Sequence, residues 1–278
     1  MGPKKWGRIP FPKKGPDTLS VHYRLILQFP IARLLRKMVF PYNGDITLPR
    51  PIRLNLPGIP QHVTQRGNNR NSCFFSNADY QLYLDLLAKS CEKHDCSLHA
   101  YVLMTNHVHF LMTPKVADGV SLVIRDVGRD YVRTVNKKYG RTGTMWEGRF
   151  KSSPVDSDFY CLACYRYIEL NPVRAGIVER PENYRWSSYR FNALNVQCAH
   201  VVPHETWNLL GQSETDRKHA YRKLFETELD QNKLEEIRYG VRKGLPIGNR
   251  NFRQEIESTL SIAIGSGKRG RPRKSERK

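Results

Sequence analysis

Apolar and polar positions switch between two periodicities along residues 62–155. His62-Val-Thr-Gln-Arg66 reads as a strand, stopped by Gly67-Asn-Asn69. Ser76 or Asn77 then caps a helix with Asp79 in its first turn. Tyr80, Tyr83, Leu84, Leu87 and Cys91 fall at helical spacing and make one apolar face. Ser97 to Met104 returns to strand spacing, with Leu98, Ala100, Val102 and Met104 on one side. Thr105-Asn106 makes a tight turn into Asn106-His-Val-His-Phe-Leu-Met112, so these two strands should pair antiparallel. Pro114 ends that strand. A second helix is expected over about 118–139, with Val120, Val123, Val127, Tyr131 and Val135 apolar and Gly140 at its stop. Phe150 to Val155 is again strand-like.

The resulting order, β-α-β-β-α-β, is the split βαβ or ferredoxin-like arrangement. The predicted fold class is therefore α+β, a ferredoxin-like βαββαβ sheet with helices on one face. Its first and third strands lie side by side at the centre. A further helix is expected over about 156–170, closed by Asn171-Pro172 because the residue before proline avoids helical angles. Tyr160, Cys164, Tyr167 and Asn171 share one face of it, and Tyr165 points elsewhere. Trp186-Ser-Ser-Tyr189 reads as a closing segment. Beyond about 195 the chain becomes charged and helical: 213–240 carries Tyr221, Leu224 and Phe225 on one side. Gly244-Leu-Pro-Ile-Gly248 is a loop, and Phe252, Ile256 and Leu260 form a short amphipathic helix. The expected organisation is a basic arm over 1–50, a core domain over 51–193, an accessory helical segment over 194–262 and a basic tail over 263–278.

Charge changes the picture most. Lysine and arginine number 46 against 26 acids, a net of +20. That excess favours a polyanionic partner, most simply nucleic acid. No run of 18 uncharged apolar residues is present to span a bilayer, so no membrane partner is expected. The arm over 1–50 has only Asp17 and Asp45 as acids and seven prolines, and reads as an extension outside the fold. The tail contains Arg269-Gly-Arg-Pro-Arg273, which resembles an AT-hook. There Arg269, Arg271 and Arg273 would enter a narrow minor groove; the plainer alternative is a tail that binds any phosphate backbone. The six cysteines form no paired zinc knuckles, and Cys161-Leu-Ala-Cys164 reads as small buried residues. A reducing cytoplasm, with nucleoid association, is the expected location.

Candidate chemistry centres on His107-Val-His109. Strand spacing points both imidazoles to one face and Val108, Phe110 and Met112 to the other. Two neutral imidazoles can hold a divalent ion and leave positions open. Alone the pair is a weak signal, since histidines on strands are more often surface or packed residues. There is no Gly-x-Ser-x-Gly, no Walker loop and no run of carboxylates for a two-metal nuclease. The attractive nucleophile is Tyr167, with Asn171 one turn later offering an amide oxygen as a third ligand. Spacing alone reads Tyr167 equally well as a core aromatic and Asn171 as a helix stop.

The set His107-Val-His109, Met145-Trp-Glu-Gly-Arg-Phe150 and Tyr167-Ile-Glu-Leu-Asn-Pro-Val-Arg-Ala-Gly176 resembles the IS200-like Y1 transposase superfamily of HUH endonucleases. More narrowly it is similar to the REP-associated tyrosine transposases, as are Leu56-Pro-Gly and Val63-Thr-Gln-Arg-Gly-Asn-Asn-Arg70. The resemblance covers about 52–190. It implies a single-stranded DNA transesterase in which Tyr167 attacks a scissile phosphate and becomes linked to the 5′ phosphate. It implies Mg²⁺ or Mn²⁺ on His107, His109 and Asn171, although relatives often use glutamine at the last position. Single-stranded or hairpin DNA is the implied partner, with Arg66, Arg70, Arg149 and Lys151 as contact candidates. Both monomers and domain-exchanging homodimers occur among relatives. The arm over 1–50 departs from the family, whose members begin near Leu56-Pro-Gly. The rival expectation is a non-catalytic hairpin DNA- or RNA-binding protein.

Overall fold

The structure, a computed structural model, describes residues 53–157, 160–262 and 264. The arm over 1–50 and the hook-like tail with Arg269, Arg271 and Arg273 lie outside the described residues.

Four strands build one antiparallel sheet: β1 (Gln61–Arg66), β2 (Cys96–Met104), β3 (His107–Pro114) and β4 (Lys151–Pro154). Their spatial order is β2-β3-β1-β4, which is the expected ferredoxin-like topology. The first and third strands are central, and Thr64 pairs His109 while Arg66 pairs His107. Helices α1 (Asn77–Lys93) and α2 (Gly119–Tyr139) cross over between strands. A capping box between Ser76 and Asp79 starts α1. Gly140, at φ 61°, stops α2 in a conformation that costs other residues a Cβ clash.

Period-two alternation divides the sheet chemically. Val63, Val108, Phe110 and Met112 are buried on the face toward α1 and α2, where Tyr83 stacks 6.2 Å from Phe110. The opposite face carries His62, Thr64, Arg66, His107, His109 and Leu111. Helix α3 (Cys161–Glu169) covers it, with Cys161, Cys164, Tyr165 and Ile168 fully buried. That face is therefore no open platform for stacked bases, the arrangement an RNA-binding sheet of this topology needs.

Helix α3 ends at Glu169, close to the expected 170, but starts later than expected. It begins at Cys161 because the chain at Val155-Asp156 still runs along the sheet: Val155 bridges Ile247, and the Asp156 amide donates to the Ile247 carbonyl at 2.8 Å. Beyond the break at Leu170, Pro172 belongs to a new short helix. It sits in the first turn of α4 (Asn171–Arg174), where its missing N–H costs nothing.

The segment ending at α5 (Tyr189–Ala193) pairs with the outer edge of β2, where the Leu103 amide donates to the Trp186 carbonyl at 2.9 Å. That covers an edge that would otherwise offer unpaired backbone groups. Four helices follow: α6 (Glu205–Asn208), α7 (Glu214–Phe225), α8 (Gln231–Lys243) and α9 (Arg250–Leu260). The single helical stretch expected over 213–240 is two helices, because Asp230 caps the second with its side chain on the Lys233 amide. Trp207, Tyr221, Ile237, Val241 and Ile247 join the main core. Ile256 of α9 packs instead on Leu54 and Leu56.

Candidate active site

His107 and His109 stand on the central strand β3 with their rings 5.2 Å apart. Helix α3 brings Tyr167 down onto them. Its ring meets His109 edge-on at 5.8 Å and His62 at 5.4 Å between centroids. Neither Tyr160 nor Tyr165 shares this position. The Tyr160 hydroxyl bonds Glu236, and buried Tyr165 accepts from the His204 amide and packs on Tyr221. Of the three tyrosines on this stretch, only Tyr167 faces the histidines.

Asn171 reaches the site from the first residue of α4. Its Nδ2 donates to the Tyr167 carbonyl at 3.2 Å, which turns its oxygen away from that bond. That side chain also lies close enough to His107 to favour its imidazolium slightly. The other side of His107 is fixed as well. Its Nδ1 lies 2.7 Å from Asn106 Oδ1, and the Asn106 amide nitrogen donates to the Arg70 carbonyl at 3.0 Å. Asn106 Oδ1 is an acceptor, so His107 carries its proton on Nδ1 and a lone pair on Nε2.

All three site histidines are held neutral. Burial pushes His107 down to about 4, with Arg66 adding to the shift and Asn171 opposing it. Burial, then Arg174, pushes His62 down to about 3. Burial holds His109 well below the ordinary range, and His62, His107, Arg174 and Arg66 reinforce it. Neutral imidazoles offer lone pairs rather than protons at neutral pH. Among the described residues, no three His, Cys, Asp or Glu side chains gather as a metal-binding group.

Two residues of the site were missed in the sequence. His62 lies behind His109, with His62 Nε2 2.9 Å from His109 Nδ1. Period two on the first strand already placed His62, Thr64 and Arg66 on one face, and the topology set that strand beside the third. Arg174 stacks its guanidinium 4.5 Å over the Tyr167 ring and also donates to the Tyr167 carbonyl. It follows Tyr167 by seven residues, two helical turns, the spacing that signals a shared face.

The basic candidates divide. Arg66 is exposed and pairs His107 across the strands. Arg70 is exposed and holds the Asn106 amide through its carbonyl. Arg149 is exposed on the loop whose Glu147 amide donates to the Arg66 carbonyl. Lys151 starts β4 on the site side, but its ammonium donates to the Arg242 carbonyl at the end of α8.

The candidate site is thus a central histidine pair under a tyrosine-bearing helix, on a ferredoxin-like sheet. Residues 57–171 match the family model described as Transposase IS200 like. Two solved structures are similar over part of the chain. One is a REP-associated tyrosine transposase bound to a REP hairpin, with 17% identity and a TM-score of 0.46, covering 57% of this chain and 93% of that one. The other is a protein from Deinococcus radiodurans R1 described as a candidate transposase, with 17% identity and a TM-score of 0.31, covering 50% and 97%. No curated protein matches the chain in sequence.

Proposed function

We propose that this protein is a transposase that cleaves and rejoins single-stranded DNA at hairpin-flanked sites through a 5′-phosphotyrosine bond on Tyr167. The observation that carries the reading is the meeting of Tyr167, His107, His109 and Asn171 on one sheet face. His107, His109 and Asn171 would hold Mg²⁺ or Mn²⁺, an ion that when bound polarises a phosphate oxygen as a Lewis acid. Three ligands leave positions free for phosphate and water.

The protein's own residues do the rest. The Tyr167 oxygen attacks phosphorus and gives up its proton, a tyrosine–phosphorus ester forms, the bond from phosphorus to the 3′ oxygen breaks, and that oxygen takes up a proton to leave as a hydroxyl. Arg174, stacked on that ring, supplies positive charge beside the phosphate. One phosphodiester replaces another, so the strand can be rejoined to a new 3′ hydroxyl without ATP. Arg66, Arg70 and Arg149 would bind the backbone of the substrate strand. Lys151 is tied to α8 and would act there through its charge alone. Among the described residues no helix is long and apolar enough to cross a membrane.

The test uses an end-labelled pool of single strands carrying imperfect hairpins, incubated with Mn²⁺. Cleavage by the wild type and its loss in Tyr167→Phe and in His107→Ala/His109→Ala support the reading. Undiminished cleavage in either variant removes those residues from the site.

A further inference from the structure

His62 has no part in the reading so far, yet it occupies a costly place. It is fully buried, its Nε2 lies 2.9 Å from His109 Nδ1, and its own Nδ1 has no hydrogen-bond partner. A hydrogen bond between two neutral imidazoles contains one proton, and there are two ways to place it. If His62 Nε2 donates, His109 carries its own proton on Nε2 and cannot ligate through that atom. If His109 Nδ1 donates, its Nε2 keeps a free lone pair, and the remaining proton of His62 sits on Nδ1 with no acceptor. His62 Nδ1 is unpartnered in either arrangement, as a bare lone pair in the first and as an N–H in the second, and a buried unpartnered group calls for a functional reason.

His107 already shows the same device with an ordinary partner. The Asn106 amide oxygen takes its Nδ1 proton and leaves Nε2 bare. Ligating histidines generally hand their other ring proton to a fixed acceptor, which sets both tautomer and ring orientation. At His109 that acceptor can only be His62.

We infer that His62 is a positioning residue: its Nε2 accepts the Nδ1 proton of His109 and holds His109 in the tautomer whose Nε2 can ligate a divalent cation. An imidazole does this without adding negative charge, unlike the carboxylate often found in this role, and so does not repel the substrate phosphate. Its ring also meets Tyr167 at 5.4 Å, which couples the ligand and nucleophile positions through one buried side chain. The inference rests on the metal reading above, and its test separates the two.

The experiment measures Mn²⁺ binding to the full chain from the spin-resonance signal of free Mn²⁺, for wild type, His62→Gln, His62→Leu and His107→Ala. Circular dichroism melts report folding. His62→Leu should weaken Mn²⁺ binding about 10- to 100-fold, the range for losing such an outer partner, while His62→Gln stays within about threefold because its amide oxygen can accept the same proton. In parallel, ¹⁵N spectra of the Mg²⁺-bound wild type should show His109 protonated on Nδ1. Wild-type affinity in a folded His62→Leu, or a proton on Nε2 of His109, overturns the inference. If His62→Leu does not fold, the tautomer measurement decides alone. Loss of binding in His107→Ala with none in His62→Leu overturns this inference and leaves the metal reading intact. Failure of the wild type to bind Mn²⁺ overturns both.

Discussion

Glu169 offers a quantitative test of how the tyrosine helix is held. It lies two residues beyond Tyr167, so it points to the far side of α3, away from the histidines. Its carboxylate is fully buried and accepts from Ser188 Oγ at 2.6 Å, Asn192 Nδ2 at 2.8 Å and the Tyr221 hydroxyl at 2.7 Å. These bonds tie α3 to the segment covering β2 and to α7. Burial nevertheless raises its pKa from 4.5 to about 7, because three neutral donors do not replace the lost water. The raised value means that the folded state binds the proton more tightly than the unfolded state. Glu169 stabilises fully below 4.5, and that contribution is lost as pH rises through 7. At about 1.36 kcal/mol per unit, the loss is about 3 kcal/mol. Glu169→Gln keeps an acceptor and removes the titration. The assay is urea unfolding of both proteins at pH 4.5, 6 and 8. The difference variant minus wild type should rise by about 3 kcal/mol from pH 4.5 to 8. All other titrating groups cancel in that difference. A difference flat with pH would refute the reasoning, since the carboxyl would then titrate alike folded and unfolded.

Further outcomes follow from the same geometry. Gly67→Ala places a Cβ 2.3 Å from the Asn71 carbonyl oxygen and 2.7 Å from Cys73 Sγ. The backbone must shift, so thermal unfolding should show a loss of about 1–3 kcal/mol, and an unchanged melt would contradict the packing. Asn171→Ala should weaken Mn²⁺ binding about 10-fold or more, with partial recovery in Asn171→Gln. Calorimetric titration giving equal affinities would remove the amide from the ligand set. Arg174→Gln should slow cleavage about 100-fold without weakening Mn²⁺ binding, by analogy with loss of one transition-state donor. Single-turnover rates matching wild type would mean that its charge is not used.

Much of this could be read before the structure because it depends on local periodicity. Helices α1 and α2, the four strands and the facing of the His107–His109 pair all follow from spacings of two or of three and four. The sheet order then followed from topology, and with it the pairing of β1 beside β3. What escaped the sequence depends on contacts between distant residues. His62 looked like an ordinary strand residue because its partner is 47 positions away. Arg174 is hidden because Pro172 both follows the end of one helix and opens the next, where proline is a good first-turn residue. The start of α3 was misplaced because Asp156 pairs with Ile247, which no local pattern announces. Asp230 could have been recognised as a cap dividing 213–240, since a side-chain oxygen ahead of a new helical run is a start signal.

The central claim is that Tyr167, and no other tyrosine, joins to DNA. The most direct measurement incubates the full chain with Mn²⁺ and the hairpin-bearing single strands, digests the covalent product with protease and nuclease, and locates the attached nucleotide by mass spectrometry. The account predicts a 5′-phosphonucleotide on the peptide containing Tyr167, absent in Tyr167→Phe. A nucleotide on Tyr160 or Tyr165, or cleavage with no covalent product at all, would contradict it.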